Sequence, residues 1–262
     1  ERSDLQKRLD EHKQSTSGAK LILSIDRLDY TKGIPNRIRA FEYFLNRYPE
    51  YKEKVRLIML AVPSRSNVPQ YKKLKRETDE LVGRINGEFS TVNWTPIWYF
   101  YRSIPFDNLI DLYTSAEVAL ITPLRDGMNL VAKEYVATRV NLDGVLILSE
   151  MAGAAKEMHE ALIINPNNFE EFSDTIKEAL EMPKEEQASR MKSLQKRLKR
   201  YTVEKWSDEF MKSLVATQKS NKTTSVVPLK ETLQNKEVEK FKSAKNRLIF
   251  LDYDGTLVSF KD

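Results

Sequence analysis

Short apolar runs alternate with amphipathic stretches along most of this chain. The runs have the length and β-branched content of buried strands, and they lie at residues 21–25, 55–62, 96–100, 118–122 and 145–148. The stretches between them predict helices after Pro35, near 68–85, at 106–115 and at 130–139, with further helices to about residue 218. This alternation is typical of an α/β fold with a doubly wound, Rossmann-like parallel sheet. Such sheets bind ligands at the carboxyl ends of their strands, so the loops that follow strands are the first places to look for chemistry.

A change in composition divides the chain into three parts. We expect one domain at 1–218, a polar linker with one short helix at 219–245, and the start of a second domain at 246–262. In that last part an apolar run at 248–251 predicts a strand. Because the chain does not begin with Met and stops soon after this run, we expect it to be a piece of a longer polypeptide.

Composition and charge narrow the classes of function. With no cysteine and only two histidines, the chain has no disulfides, Cys-ligated metals or thiol nucleophiles, and a histidine metal centre is disfavoured. The 43 Lys and Arg against 38 Asp and Glu leave a net charge of +5, spread along the chain, which suits anionic small molecules. The basic stretch at 195–200 has helical spacing and no interleaved aromatics, so we expect no nucleic-acid partner. The apolar runs are far shorter than the ~20 residues of a membrane span, and we expect a cytoplasmic protein with no membrane partner.

The first candidate loop joins the strand at 21–25 to the next helix. Arg27 and Lys32 stand five residues apart in it, and Gly33 follows. Two cations beside a helix N-terminus can together hold a diphosphate. The loop lacks the glycines of a Walker or Rossmann phosphate loop. Two solvated surface charges are the open alternative.

The second candidate loop follows the strand at 118–122. Asp126 and Gly127 form a tight turn, and the backbone N–H groups of Leu130 and Val131 would point from the helix start toward an anion. Glu134 follows about one helical turn later, where its carboxylate can accept ribose hydroxyls, as Asp126 can accept sugar hydroxyls. An ordinary turn and exposed helix is the alternative. Cations in one loop and carboxylates in the other are what a nucleotide-sugar requires.

The two loops together resemble those of one family. Residues 27–33 read Arg-Leu-Asp-Tyr-Thr-Lys-Gly, and residues 125–135 read Arg-Asp-Gly-Met-Asn-Leu-Val-Ala-Lys-Glu-Tyr. Both look like the donor-binding half of trehalose-6-phosphate synthase, and the likeness runs from about residue 1 to 218. It implies the C-terminal half of a retaining, metal-independent GT-B glycosyltransferase of family 20, which needs no cofactor. Such an enzyme moves glucose from UDP-glucose to glucose 6-phosphate, makes trehalose 6-phosphate and releases UDP.

The resemblance also implies roles for single residues. Arg27 and Lys32 would contact the diphosphate, Asp126 the glucose and Glu134 the ribose, and the first three would be catalytic. Arg102, in a looser motif, resembles the basic residue that helps to bind the acceptor's phosphate; a salt bridge or plain surface charge is its alternative. The implied substrate-binding set is Arg27, Lys32, Arg102, Asp126, Gly127, Met128, Asn129, Leu130, Val131 and Glu134.

A third candidate lies near the end of the chain. Asp252 and Asp254 follow the apolar run and flank a turn, where two carboxylates could hold Mg²⁺. An Asp-Gly hairpin turn is the alternative. The segment resembles the first motif of haloacid-dehalogenase phosphatases and looks like the start of a trehalose-6-phosphate phosphatase domain. That resemblance implies that Asp252 is the nucleophile and Asp254 the general acid/base.

Several readings of function stay open. The later phosphatase motifs and the acceptor-side domain that normally precedes the donor domain are absent from these 262 residues, so we expect this piece alone to be essentially inactive. A non-catalytic regulatory module and a GT-B enzyme with another donor or acceptor are the alternatives. The small residues at 151–155 predict either close approach of a ligand or backbone, or tight packing on the sheet.

Overall fold

Six parallel strands form the sheet that organises the first part of the chain. The computed structural model describes residues 7, 11, 19–223 and 230–251. The strands are β1 (Lys20–Arg27), β2 (Val55–Val62), β3 (Ile97–Phe100), β4 (Val118–Ile121), β5 (Val145–Ser149) and β6 (Leu162–Ile164). Their order across the sheet is β3-β2-β1-β4-β5-β6, and every neighbouring pair is parallel.

Helices cover both faces of this sheet. They are α1 (Ile34–Arg47), α2 (Pro69–Phe89), α3 (Phe106–Ser115), α4 (Leu130–Thr138), α5 (Phe169–Glu181) and α6 (Lys184–Arg200). One core cluster joins the sheet to α1, α2 and α5, with Phe41 and Phe172 fully buried. The other joins it to α3, α4 and α6, where Tyr113 and Tyr135 are buried. The predicted doubly wound α/β fold is confirmed.

Two details of the predicted strands differ from the structure. The strand β6 was not predicted, because a run of three residues between polar segments is too short to show a period. The strand predicted at 248–251 is wrong: these residues have no regular secondary structure, and Leu248 and Phe250 are 76% and 88% exposed. A strand needs a hydrogen-bonding neighbour, and no described strand pairs with this run.

The remainder of the chain forms a second compact unit. The chain divides into Glu1–Thr202 and Val203–Asp262. The second unit contains α7 (Val203–Thr223) and α8 (Glu231–Ser243), and α8 falls within the segment predicted as a linker with a short helix. Asp252 and Asp254 lie outside the described residues. No helix in the described part of the chain is both long and apolar enough to cross a bilayer.

The strand order reverses between β1 and β4. From β1 the chain runs to β2 and β3 on one side, and then returns to place β4 on the other side of β1. At such a switch point the loops after the two strands turn away from each other and leave a crevice. The two loops with candidate chemistry, at 26–33 and 122–129, follow β1 and β4.

A third loop, after β5, is joined to the loop after β4 through its backbone. Gly153 N donates to Asp126 O (2.9 Å), Ala154 N to Met128 O (2.8 Å) and Asp126 N to Met151 O (3.2 Å). A Cβ atom at Gly153 would lie 2.0 Å from the carbonyl oxygen of Gly127. Gly153 therefore serves close approach between two backbones, while Ala152 and Ala154 pack in the core beside the sheet.

This contact predicts opposite effects of two glycine-to-alanine changes. Gly153→Ala should lower the free energy of unfolding by about 1–3 kcal/mol, because the 126–128 backbone must move. Gly83→Ala is the matched control, because Gly83 lies in α2 and a methyl group added there would have no other atom within 4 Å. It should raise that free energy by about 0.5–1 kcal/mol. Urea unfolding measures both, and an unchanged Gly153→Ala protein would contradict the packing argument.

Candidate donor-binding site

The loop after β1 is shaped by a capped turn. Asp29 Oδ1 accepts from Thr31 N (2.9 Å) and from the Thr31 hydroxyl (2.8 Å), which fixes the short 3₁₀ turn Tyr30–Lys32. Gly33 follows with φ of 64°, a conformation that glycine adopts without strain, and α1 starts next. A Cβ at Gly33 would also lie 3.0 Å from Thr122 O. The turn therefore presents Lys32 directly before the helix and close to the end of β4.

The loop after β4 is held by hydrogen bonds around Asp126. Its carboxylate accepts from the Asn129 side-chain amide (3.0 Å) and from Met128 N (3.3 Å). Asn129 in turn caps α4, since its side-chain oxygen accepts from Ala132 N at 3.1 Å. The amides of Leu130 and Val131 begin the helix and have no intrahelical carbonyl partner. The loop thus offers an oriented carboxylate beside a helix N-terminus.

The two loops meet across the switch point. Thr31 O accepts from Leu124 N (2.8 Å) and Arg125 N (3.0 Å), which ties the two backbones together. The ammonium of Lys32 donates to Asp126 Oδ2, and the two side chains are each 15% exposed. Residues 94 positions apart in sequence therefore form one ion pair at the carboxyl edge of the sheet.

The local charges hold Asp126 in its ionised form. Burial works against ionisation, but the Lys32 hydrogen bond and charge, with the Met128 and Asn129 donors, outweigh it and lower the pKa of Asp126 below its ordinary 3.8. Asp26, buried in β1, lies 3.8 Å from the Lys32 ammonium. Burial is the largest influence there and raises the pKa of Asp26, against the charges of Arg37 and Lys32.

The other predicted site residues have separate surroundings. Arg27 is exposed at the end of β1. Arg102 is exposed, with its guanidinium 5.2 Å from the centre of the Phe100 ring. Glu134 is on α4 and accepts from the hydroxyl of the buried Tyr113 (2.7 Å). In the described part of the chain no hydrogen bond or ion pair joins these three predicted residues to Lys32 or Asp126.

The bond to Glu134 gives that carboxylate a fixed neighbour. Burial, followed by the hydrogen bond with Glu134, raises the pKa of Tyr113, so the phenol stays a donor. One oxygen of Glu134 is thereby occupied, and its exposed position on the second turn of α4 leaves the other available to a ligand.

Sequence reasoning missed a hollow beside the first loop. It has a volume of about 610 Å³, and its lining includes Tyr30, Arg65 and Tyr71. The Tyr71 hydroxyl donates to Asp29 Oδ2 (2.9 Å), and Arg65 Nη1 donates to that hydroxyl (3.0 Å). Arg65 follows β2, so its place after a parallel strand was a usable signal. The buried Asp26 and Arg37 were also missed, because apolar periodicity does not register single charges within a strand or helix.

The Lys32–Asp126 pair predicts a pH-dependent stability difference. Asp126→Asn should lower the free energy of unfolding at pH 7 by about 1–2 kcal/mol, since the charged partner is lost. The pKa of Asp126 is lower in the folded protein than its ordinary value of 3.8, which we take for the unfolded chain. The ionised carboxylate therefore stabilises the fold fully above pH 3.8, and this stabilisation is lost as the pH falls through the folded-state pKa. The difference between wild type and variant should therefore narrow below about pH 3.8 in urea unfolding from pH 7 to 3.

The control for that series is Glu88→Gln, which removes an exposed pair with Arg84 within α2. This change should alter the free energy of unfolding by no more than about 0.5 kcal/mol. A difference for Asp126→Asn that stays constant over the whole pH range would show that the charge of Asp126 contributes nothing.

Comparison with known proteins places this site in a family. Glycosyltransferase family 20 matches residues 1–216. A bifunctional trehalose-6-phosphate synthase/phosphatase of Thermoproteus tenax is 49% identical over 244 residues, which are 92% of this chain and 33% of the relative. The chain thus spans about a third of that relative's length.

Two solved structures share the fold. A Burkholderia xenovorans α,α-trehalose-phosphate synthase (UDP-forming) in complex with glucose-6-phosphate superposes with a TM-score of 0.72 and 37% identity, over 80% of this chain and 48% of that one. An E. coli trehalose-6-phosphate structure bound with UDP-2-fluoro glucose superposes with a TM-score of 0.76 and 37% identity. That match covers 79% of this chain and 46% of the E. coli chain. The fold, the paired loops and these matches agree, and the chain belongs to glycosyltransferase family 20.

Proposed function

We propose that this chain is the donor-binding part of a trehalose-6-phosphate synthase. The intact protein would transfer glucose from UDP-glucose to glucose 6-phosphate with retention and release UDP. The observation that carries the proposal is the contact of Lys32 with Asp126 across the β1/β4 switch point. It puts a cation and a carboxylate where a doubly wound sheet binds its ligands. The trehalose-phosphate synthases among the relatives support the same reaction.

The proposed chemistry follows from where charge develops. Departure of UDP builds negative charge on its phosphate, and fixed cations with helix N–H groups stabilise that charge without having to reorient. Lys32 is already held in place by Asp126 and Asp26, and Arg27 is exposed at the end of β1, where the same loop begins. A bound diphosphate would accept from the Lys32 ammonium in place of Asp126. The Asp126 carboxylate could then accept hydrogen bonds from sugar hydroxyls. Glu134 would accept from the ribose. We propose no metal or cofactor for this step.

The rest of the assignment extends beyond the described residues. We propose that an acceptor-binding domain completes the synthase, and that Asp252 and Asp254 open a Mg²⁺-dependent phosphatase domain. The bifunctional relative supports this second part. A cytoplasmic location also belongs to the proposal. A non-catalytic sugar-nucleotide module is the alternative, as is a GT-B enzyme with another donor or acceptor.

A calorimetric titration of the 262-residue chain with UDP, UDP-glucose, GDP-glucose and ADP-glucose tests the donor. UDP and UDP-glucose should bind. Lys32→Ala should lower the affinity for UDP about 10- to 100-fold, a loss that corresponds to one charged hydrogen bond. Lys52→Ala is the control, because Lys52 precedes β2 at the opposite edge of the sheet and its ammonium lies 4.7 Å from the Phe89 ring. This variant should bind UDP as the wild type does.

Each other outcome has a meaning. Binding of none of the four nucleotides would contradict the donor-site proposal and favour the regulatory alternative. Tighter binding of GDP-glucose or ADP-glucose would favour another donor. An unchanged UDP affinity in Lys32→Ala would remove Lys32 from the diphosphate site.

The acceptor's phosphate needs a cation near the donor, and two arginines are candidates. Arg102 was predicted from its motif; its guanidinium lies 5.2 Å from the centre of the Phe100 ring, and the residue does not line the hollow. Arg65 lines the hollow, as does Tyr30, which belongs to the same turn as Lys32. A concave site encloses a ligand better than a convex one. We therefore infer that Arg65 is the stronger candidate.

Steady-state kinetics of the intact protein separate the two arginines. Arg65→Ala should raise KM for glucose 6-phosphate about tenfold or more, with a smaller change in KM for UDP-glucose. Arg102→Ala should change both by less than about threefold, because Arg102 is exposed and lies outside the lining of the hollow. The opposite pattern would assign the acceptor's phosphate to Arg102.

A further inference from the structure

Arg37 is a buried cation beneath the two loops of the site. It lies in the first turn of α1, and none of its side chain is exposed. Its guanidinium donates to Thr122 Oγ1 (3.0 Å), Ser24 Oγ (2.5 Å), Asp26 Oδ2 (2.9 Å) and Lys32 O (3.1 Å). Ser24 and Asp26 belong to β1, and Thr122 follows β4. One planar group therefore joins both strands of the switch point and the loop between β1 and α1.

A buried charge stabilises a protein core less effectively than its number of contacts suggests. Removing a guanidinium from water carries a desolvation penalty, and well-packed apolar side chains often stabilise a core as well as a buried ion pair does. What apolar groups cannot supply is direction: the guanidinium fork fixes several acceptors in one plane. The four acceptors here all lie beside or within the loops that carry Lys32 and Asp126. The arrangement thus fits a role in placing the site.

Two contacts connect Arg37 to the Lys32 side chain. The bond to Lys32 O fixes the backbone from which that side chain starts. Asp26 accepts from Arg37 through Oδ2, and its other oxygen lies 3.8 Å from the Lys32 ammonium. Guanidinium, carboxylate and ammonium thus form a chain of alternating charge that ends at Asp126. Thr122, the remaining partner, leads directly into the Asp126 loop.

We propose that Arg37 is a positioning residue for the donor site. It sets the position of the Lys32 ammonium relative to Asp126, and through it the affinity for a nucleoside diphosphate. The inference rests on the proposed donor-binding function. The Arg37 side chain is fully buried and cannot itself reach a ligand, so its effect should be confined to the phosphate part of the donor and should pass through Lys32.

The test uses a variant that keeps the charge and removes the fork. Arg37→Lys places a single ammonium near Asp26 and cannot serve all four acceptors. The 262-residue chain is titrated with UDP by calorimetry and with uridine by ligand-observed NMR. Arg37→Lys should lower the affinity for UDP about tenfold or more, because displacement of a charged group by even about 1 Å is costly. The affinity for uridine should stay within about twofold of the wild-type value, because uridine carries no phosphate.

Arg56→Lys is the matched control. Arg56 is also buried and also donates to a carbonyl, that of Thr95 at 3.0 Å, but it lies at the start of β2, away from the carboxyl edge. Both substitutions exchange a buried arginine for lysine, so a general loss of stability would appear in both. Arg56→Lys should bind UDP and uridine as the wild type does.

A double variant decides whether Arg37 acts through Lys32. If it does, Lys32→Ala/Arg37→Lys should bind UDP no more weakly than Lys32→Ala alone, because the positioned group is already gone. Additive losses would overturn the inference, as would equal losses for UDP and uridine or an unchanged UDP affinity in Arg37→Lys. A wild-type chain that binds no UDP would instead overturn the proposed function on which the inference rests.

Thr122→Val gives a second route if Arg37→Lys does not fold, which circular dichroism would reveal. It keeps the shape of the side chain and removes only the acceptor of the Arg37 Nε–H bond. UDP affinity should fall about threefold with uridine unaffected, because one of four tethers is lost. Unchanged UDP affinity in this variant would overturn the inference on its own.

Discussion

The ion pair between Lys32 and Asp126 depends on the reversal of strand order between β1 and β4. The two residues lie in loops that leave the sheet in opposite directions, and side chains in such loops meet only where the two strands are neighbours. Backbone bonds to Thr31 O then hold the loops together. The candidate chemistry therefore depends on topology first, and on the residue types at 32 and 126 second.

Much of the fold could be predicted because burial on both faces leaves a clear record in sequence. In β1, residues on either side of the sheet enter different core clusters, so the strand reads as an unbroken apolar run. The same reasoning misled at 248–251, where an apolar run has no described strand beside it. Apolar character predicts a strand only when the rest of the chain supplies a neighbour.

Sequence reasoning placed the two candidate loops at one edge of the sheet, but it did not predict the contact between them. Placing Lys32 and Asp126 after parallel strands predicts one edge, but a direct contact depends on loop geometry that spacing does not contain. The pairing of Arg37 with Asp26 was not predicted, because a single charged residue does not change an otherwise apolar pattern. In the folded protein, a buried charge needs a partner, and these two residues pair with each other. Arg102 was identified from a motif alone, and its role stays a prediction; the structure places its guanidinium 5.2 Å from the centre of the Phe100 ring.

Main-chain hydrogen bonds, in addition to the Lys32–Asp126 ion pair, connect the loops after β1, β4 and β5. Amide-to-carbonyl bonds run from 124 and 125 to Thr31, and from 153 and 154 to the 126–128 segment. Arg125 and Met151 are exposed along this seam. Evolution can therefore exchange such outward-facing side chains while the backbone geometry that shapes the crevice is preserved. Neighbouring surfaces are thus free to diverge between family members that keep the same loop backbone.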